Sequence, residues 1–130
     1  MALNILVVDD SSTMRRIIAR TLGMSGLPIG DVHEALNGAE ALEILAKKSV
    51  DLALLDLNMP IMGGLEALEQ IRQNQSTRDL PVVVVSTEGS EPRIERVKEL
   101  SAGFVRKPFA PENLVKAIVI AIGGRANDNA

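Results

Sequence analysis

Cysteine, tryptophan and tyrosine are absent from these 130 residues, phenylalanine occurs twice and histidine once. Without Cys there is no disulfide framework and no thiolate metal site, which suits a reducing cytoplasm. Without Trp or Tyr there is no platform on which bases stack, and a net charge of −3 argues against non-specific nucleic-acid binding. The single imidazole, His33, falls inside an expected strand away from the polar strand ends, so it reads as structural or exposed rather than as a general base. No apolar run approaches the roughly 20 residues that cross a bilayer. The start, Met1-Ala2-Leu3-Asn4, lacks the basic region of a signal peptide. The expectation is a cytoplasmic protein with neither a membrane nor a nucleic acid as partner.

Apolar residues make up 46% of the chain, enough to bury a core, and 130 residues is the length of one domain. The stretch from Val50 to Pro60 is the most informative. A short apolar run, Leu52 to Leu55, ends abruptly at Asp56, as a strand buried on both faces would. A second run, Leu3 to Val8, ends the same way in Asp9-Asp10. Ser11 or Ser12 then caps a helix with Met14, Ile17, Ile18 and Leu22 inward and Arg15, Arg16 and Arg20 off that face. Gly23 to Gly30 ends it, and Asp31 to Leu36 is a weaker strand. Asn37-Gly38 opens a helix with Ala41, Leu42 and Leu45 inward. After the loop Pro60 to Gly64, Leu65, Leu68 and Ile71 line another helix, followed by a polar linker from Gln73 to Asp79. Leu80 to Val85 is a strong strand ending in Ser86. Glu91-Pro92 opens a helix with Ile94, Val97 and Leu100 inward. Gly103 to Arg106 is a short strand before Lys107-Pro108-Phe109. Pro111 starts the last helix, with Leu114, Ala117, Ile118 and Ala121 inward and Val119 and Ile120 off that face. Gly123-Gly124 is expected to stop it, leaving a domain over 1–124 and a disordered tail over 125–130. Five strands alternating with five helices predict an α/β fold, a parallel sheet covered on both faces.

In such sheets ligands gather at the carboxyl ends of the strands. Four strand ends carry polar groups: Asp9 with Asp10, Asp56, Ser86 and Lys107. Taken singly each has a plain reading, as a helix cap, a turn former, a strand-end hydroxyl or a solvated charge. Taken together they are carboxylates, a hydroxyl and an ammonium on one rim. Clustered carboxylates call for a cation. Oxygen ligands suit Mg²⁺, and Asp56 could serve as the nucleophile of an aspartyl phosphate, with Lys107 and the metal neutralising phosphoryl oxygens.

Four motifs, Val7-Val8-Asp9-Asp10-Ser11-Ser12-Thr13-Met14-Arg15-Arg16, Asp56-Leu57-Asn58-Met59-Pro60, Val85-Ser86 and Lys107-Pro108-Phe109, complete the pattern. The chain resembles response-regulator receiver domains from Leu3 to about Gly123, and among them those of the chemotaxis type. The resemblance implies a doubly wound, flavodoxin-like sheet in the order 2-1-3-4-5. It implies Asp56 as phosphoacceptor, and Mg²⁺ on Asp10, Asp56 and the backbone carbonyl of Asn58, with Asp9 holding a metal-bound water. Ser86 would bond the phosphoryl group, and Lys107 would pair with the Asp56 carboxylate and then with the phosphate, placed by a cis bond before Pro108. Asn58 and Glu88 would flank the path of the hydrolytic water. Phe104 stands where chemotaxis-type receivers carry Tyr, so no phenolic hydroxyl is offered there. The turn Leu100-Ser101-Ala102-Gly103 lacks the Gly expected just after a helix.

The function so implied is not enzymatic turnover but a stand-alone switch: phosphorylation by a sensor histidine kinase, self-dephosphorylation, and output by protein binding, with the flagellar motor switch as one target. The expected state is a monomer, with a phosphorylation-dependent dimer as the alternative. A phosphorelay intermediate or phosphate sink is the second reading. An aspartyl-phosphate phosphatase is the third, and it lacks a substrate-binding insertion. A flavin reading of the fold fails for want of an aromatic residue to sandwich the ring.

Overall fold

The computed structural model describes residues 2–87 and 90–128, with side chains through 123. Strands β1 (Leu3–Val8), β2 (Ile29–Ala35), β3 (Leu52–Leu55), β4 (Val82–Ser86) and β5 (Gly103–Arg106) alternate with helices α1 (Ser12–Gly23), α2 (Gly38–Lys47), α3 (Gly64–Gln73), α4 (Glu91–Glu99) and α5 (Pro111–Asp128). The sheet is parallel throughout, in the order β2-β1-β3-β4-β5. The chain leaves β1 for one edge and returns beside it as β3, which makes the β1/β3 border the point where strand order reverses.

Both faces are covered. Leu6, Val8, Ala53, Leu55, Val82 and Val84 point to one side and pack with Ala41, Leu68, Ile71 and Val97. Ile5, Val7, Leu52, Leu54, Val83 and Val85 point to the other and pack with Ile18, Leu22, Leu114 and Ile118. Alternation along continuous apolar strands therefore serves two cores at once. The central β3 and β4 are buried over their whole length, and this rigid centre presents their last residues at the rim.

Helix starts follow the expected chemistry. Ser11 accepts from Met14 N and Asn37 from Glu40 N, each side-chain oxygen satisfying a first-turn donor. Glu40 reaches back to the Leu36 amide at 2.8 Å. Two expectations need correction. Ile17 is 45% exposed rather than inward, because Ile18 and Leu22 fill the strip over the sheet and Thr21 takes its flank, its hydroxyl donating to the Ile17 carbonyl. Gly123-Gly124 does not stop α5, which continues to Asp128. Glycine disfavours helix by only about 1 kcal/mol relative to Ala, so it permits the helix to pass through. Of the expected tail, 125–128 is therefore helical backbone, and Asn129 and Ala130 lie outside the described residues.

Helix α4 ends without glycine. Ser101 takes φ +58°, its N–H reaching the Lys98 carbonyl while Ala102 N–H reaches Val97. These two bonds form a Schellman cap on a serine.

Candidate functional site

Four of the five strands, β1, β3, β4 and β5, deliver polar groups to the rim. Asp9 follows β1 directly, and its amide donates to the Ala35 carbonyl at the end of β2. Asp56 follows β3, and its amide donates to Val8 O at 3.0 Å. These ladder bonds fix the two carboxylates side by side at the β1/β3 reversal. Ser86 closes β4, fully buried, and its carbonyl accepts from Lys107 N at 3.0 Å. The Lys107–Pro108 bond is cis, as the resemblance implies.

Carboxylate oxygens of Asp9, Asp10 and Asp56 lie within 4.8 Å of one another. Asp9 and Asp56 are buried and Asp10 is exposed. All-oxygen donors, with one ligand open to water, fit a hard ion such as Mg²⁺ that keeps part of its hydration shell. Asp9 is already engaged twice: Oδ1 accepts from Ser11 N at 2.9 Å and Oδ2 from Lys107 Nζ at 2.6 Å. That occupancy suits a carboxylate that meets a metal through water. Lys107 Nζ stands 3.4 Å from Asp56 Oδ2, so the lysine spans both acids but bonds more closely to Asp9 than the pairing with Asp56 anticipated.

Asn58 is on the rim, exposed, two residues past Asp56. Glu88, given the same flanking role, lies outside the described residues. Phe104 is partly buried on β5, with the Arg106 guanidinium 5.8 Å from its ring centroid. His33 is on the edge strand β2, away from the carboxyl rim.

Three contributors escaped the sequence reading. Arg15, given no role at the site beyond its place in the first motif, donates from Nη1 to the Asp9 carbonyl and from Nε to Glu34, both at 2.7 Å. It ties β2 to the site. Arg93, in the first turn of α4, donates from Nη1 to Asn58 Oδ1 at 3.3 Å. Gly64, the end of the expected loop, opens α3, and a β-carbon there would stand 1.9 Å from the Asp56 carbonyl oxygen. The start of α3 thus presses on the backbone that carries Asp56. A basic residue in a helix's first turn, against the dipole, was the available signal for Arg93; for Arg15 it was membership of the first motif, and Gly64 left none.

The sequence profile of the response regulator receiver domain matches residues 5–119. The chain is 39% identical to the "Chemotaxis protein CheY homolog" of Campylobacter jejuni, over 98% of both chains. It is 38% identical to chemotaxis protein CheY1 of Helicobacter pylori, covering 93% of this chain and 98% of that one. Among solved structures, Vibrio cholerae CheY4 superposes with a TM-score of 0.82 at 32% identity, covering 93% of this chain and 99% of that one. A CheY-like receiver domain from Methanospirillum hungatei superposes at 0.86 with 22% identity over 98% and 99%, a likeness of fold.

Proposed function

We propose, for a chain that belongs to the response-regulator receiver domain family, a cytoplasmic chemotaxis switch operated by phosphorylation of Asp56. The observation that carries this reading is the placement of Asp56. Its carboxylate is only 7% exposed, lies 3.4 Å from the Lys107 ammonium, and shares a rim with Asp9 and Asp10. A nucleophile so placed meets a phosphoryl group beside the Lys107 ammonium, at an acidic cluster suited to hold a divalent cation.

The donor is a phosphohistidine of a sensor kinase. An Asp56 oxygen bonds to phosphorus as the P–N bond breaks, and the imidazole, protonated on its other nitrogen, leaves neutral. Lys107 follows the developing charge onto the phosphoryl oxygens, and the buried Ser86 hydroxyl donates to one of them. Mg²⁺ held by Asp10, Asp56 and the Asn58 backbone carbonyl, with Asp9 on one of its waters, would supply further positive charge against those oxygens. Asn58 borders the approach of the water that later hydrolyses the acyl phosphate.

Output by protein binding is supported by Val119 and Ile120, which are 50% and 64% exposed on α5. Ile120 lines a groove of about 440 Å³ together with Phe104, Arg106, Phe109, Lys116 and Ala117. The partner is an output protein of the flagellar-switch kind, and a phosphorylation-dependent dimer would use the same face. Among the described residues no helix is long and apolar enough to cross a membrane.

The test is intact-mass spectrometry after incubation with acetyl phosphate and Mg²⁺. The protein should gain one phosphoryl group, and Asp56→Asn should gain none. Labelling that persists in Asp56→Asn moves the acceptor elsewhere and defeats the reading.

A further inference from the structure

We propose that Arg93 is a positioning residue of the phosphoryl site: by holding the side-chain oxygen of Asn58, it withholds that oxygen from the hydrolytic water and lengthens the life of the phosphorylated state. The inference rests on Asp56 being the phosphoacceptor and concerns how long its phosphoryl group survives.

Arg93 is out of place for helix stability. It lies in the first turn of α4, where the backbone dipole is positive and a cation is disfavoured. Glu91 in the same turn has the favoured sign. The guanidinium instead crosses from α4 to the loop after β3, where Nη1 donates to Asn58 Oδ1 at 3.3 Å. A guanidinium only donates, so the Asn58 amide must turn its oxygen to Arg93 and its NH₂ elsewhere.

That orientation decides what the amide offers a water. In hydrolysis the water oxygen forms a new bond to phosphorus while the bond to Asp56 breaks. Asp56 leaves as a carboxylate, and the proton shed by the water ends on inorganic phosphate. Such a water is aligned by an acceptor for its hydrogen, with its lone pair facing phosphorus. The amide oxygen could provide that acceptor; the NH₂ would occupy the lone pair. Arg93 and the water therefore compete for one atom. The same bond links the first turn of α4 to the loop carrying the acceptor, so a partner that draws Arg93 away would shorten the signal.

The experiment follows the decay of protein phosphorylated with acetyl phosphate, after donor removal and with Mg²⁺ present, in wild type, Arg93→Met, Asn58→Ala and the double variant. Competition for one hydrogen bond predicts decay roughly three- to tenfold faster in Arg93→Met. In the Asn58→Ala background the same substitution should change nothing, because the oxygen being withheld is gone. Equal acceleration in both backgrounds would mean that Arg93 acts through its own charge, and would overturn the positioning role. Normal labelling with unchanged decay in Arg93→Met would overturn the inference alone. Absence of labelling on Asp56 in the wild type would overturn the phosphoacceptor reading and this inference with it.

Discussion

Lys107 Nζ lies 2.6 Å from Asp9 Oδ2 and 3.4 Å from Asp56 Oδ2. The ammonium thus bridges the acids that end β1 and β3, and its tighter bond goes to the one not expected to react. Two buried carboxylates beside exposed Asp10 would repel one another strongly without it. Asp56 is held less tightly and is the freer of the two to bond phosphorus.

A divalent cation should therefore add to what Lys107 already does. Millimolar Mg²⁺ is expected to raise the melting temperature by a few degrees, following linkage of binding to folding. In Lys107→Met the rise should be larger, since the metal then faces the carboxylates alone. Asp10→Ala should lose most of it. Differential scanning calorimetry with and without Mg²⁺ decides the matter, and a melting curve indifferent to Mg²⁺ in all three proteins would remove the metal from the site.

Gly64 predicts a defect that begins in backbone and ends in chemistry. The β-carbon of Gly64→Ala would stand 1.9 Å from Asp56 O and 2.8 Å from Asp56 C. Neither atom can turn aside as a side-chain tip could. Overpacking of this kind costs about 1–3 kcal/mol or more. Urea unfolding should show the loss, and phosphoryl uptake should fall as Asp56 is displaced. An unaltered unfolding midpoint would mean that α3 shifts freely.

Ser101 predicts a gain. A left-handed conformation costs a non-glycine residue roughly 1–2 kcal/mol, whereas glycine brings about 0.4–1 kcal/mol of extra unfolded-state entropy. Ser101→Gly should therefore be neutral to stabilising, raising the melting temperature by up to a few degrees. The turn is otherwise held from α3: Arg72 donates to the carbonyls of Leu100, Ser101, Leu80 and Arg78. Burial lowers the pKa of that guanidinium, against the opposing charge of Asp79. A clearly lower melting temperature in Ser101→Gly would show that the serine contributes something beyond its conformation.

The strand ends were legible because each terminates an apolar run, and a buried parallel sheet leaves its chemistry at those termini. Asp9, Asp10, Asp56, Ser86 and Lys107 could be placed on one rim for that reason. Strand order was not readable from periodicity; it came only with the family resemblance. Contacts made by long side chains across elements were also hidden, because nothing local in the sequence joins Arg93 to Asn58 or Arg72 to the β4 entrance. Gly64 was hidden in a different way, since a glycine needed for close approach looks like one needed for a turn. Ile17 was misplaced because a helical stripe is wider in sequence than the strip a sheet covers.

The exposed face of α5 gives the last expectation. Leu114 and Ile118 are buried, while Val119 and Ile120 are half or more exposed, and Ile120 lines the groove between β5 and α5. Single exposed apolar residues are ordinary. Two in succession on one helix, the second sharing a groove with Phe104 and Phe109, form a surface that a partner or a second copy could cover. Val119→Lys, and separately Ile120→Lys, should leave folding within about 0.5 kcal/mol of wild type and leave Asp56 labelling intact. Either change should weaken capture of the output protein by the phosphorylated form, because binding would bury an ammonium without a partner. If the surface serves instead in a phosphorylation-dependent dimer, sedimentation with and without acetyl phosphate should show the dimer lost in the variants. Unchanged binding together with unchanged sedimentation would return Val119 and Ile120 to the ordinary apolar fraction of a protein surface.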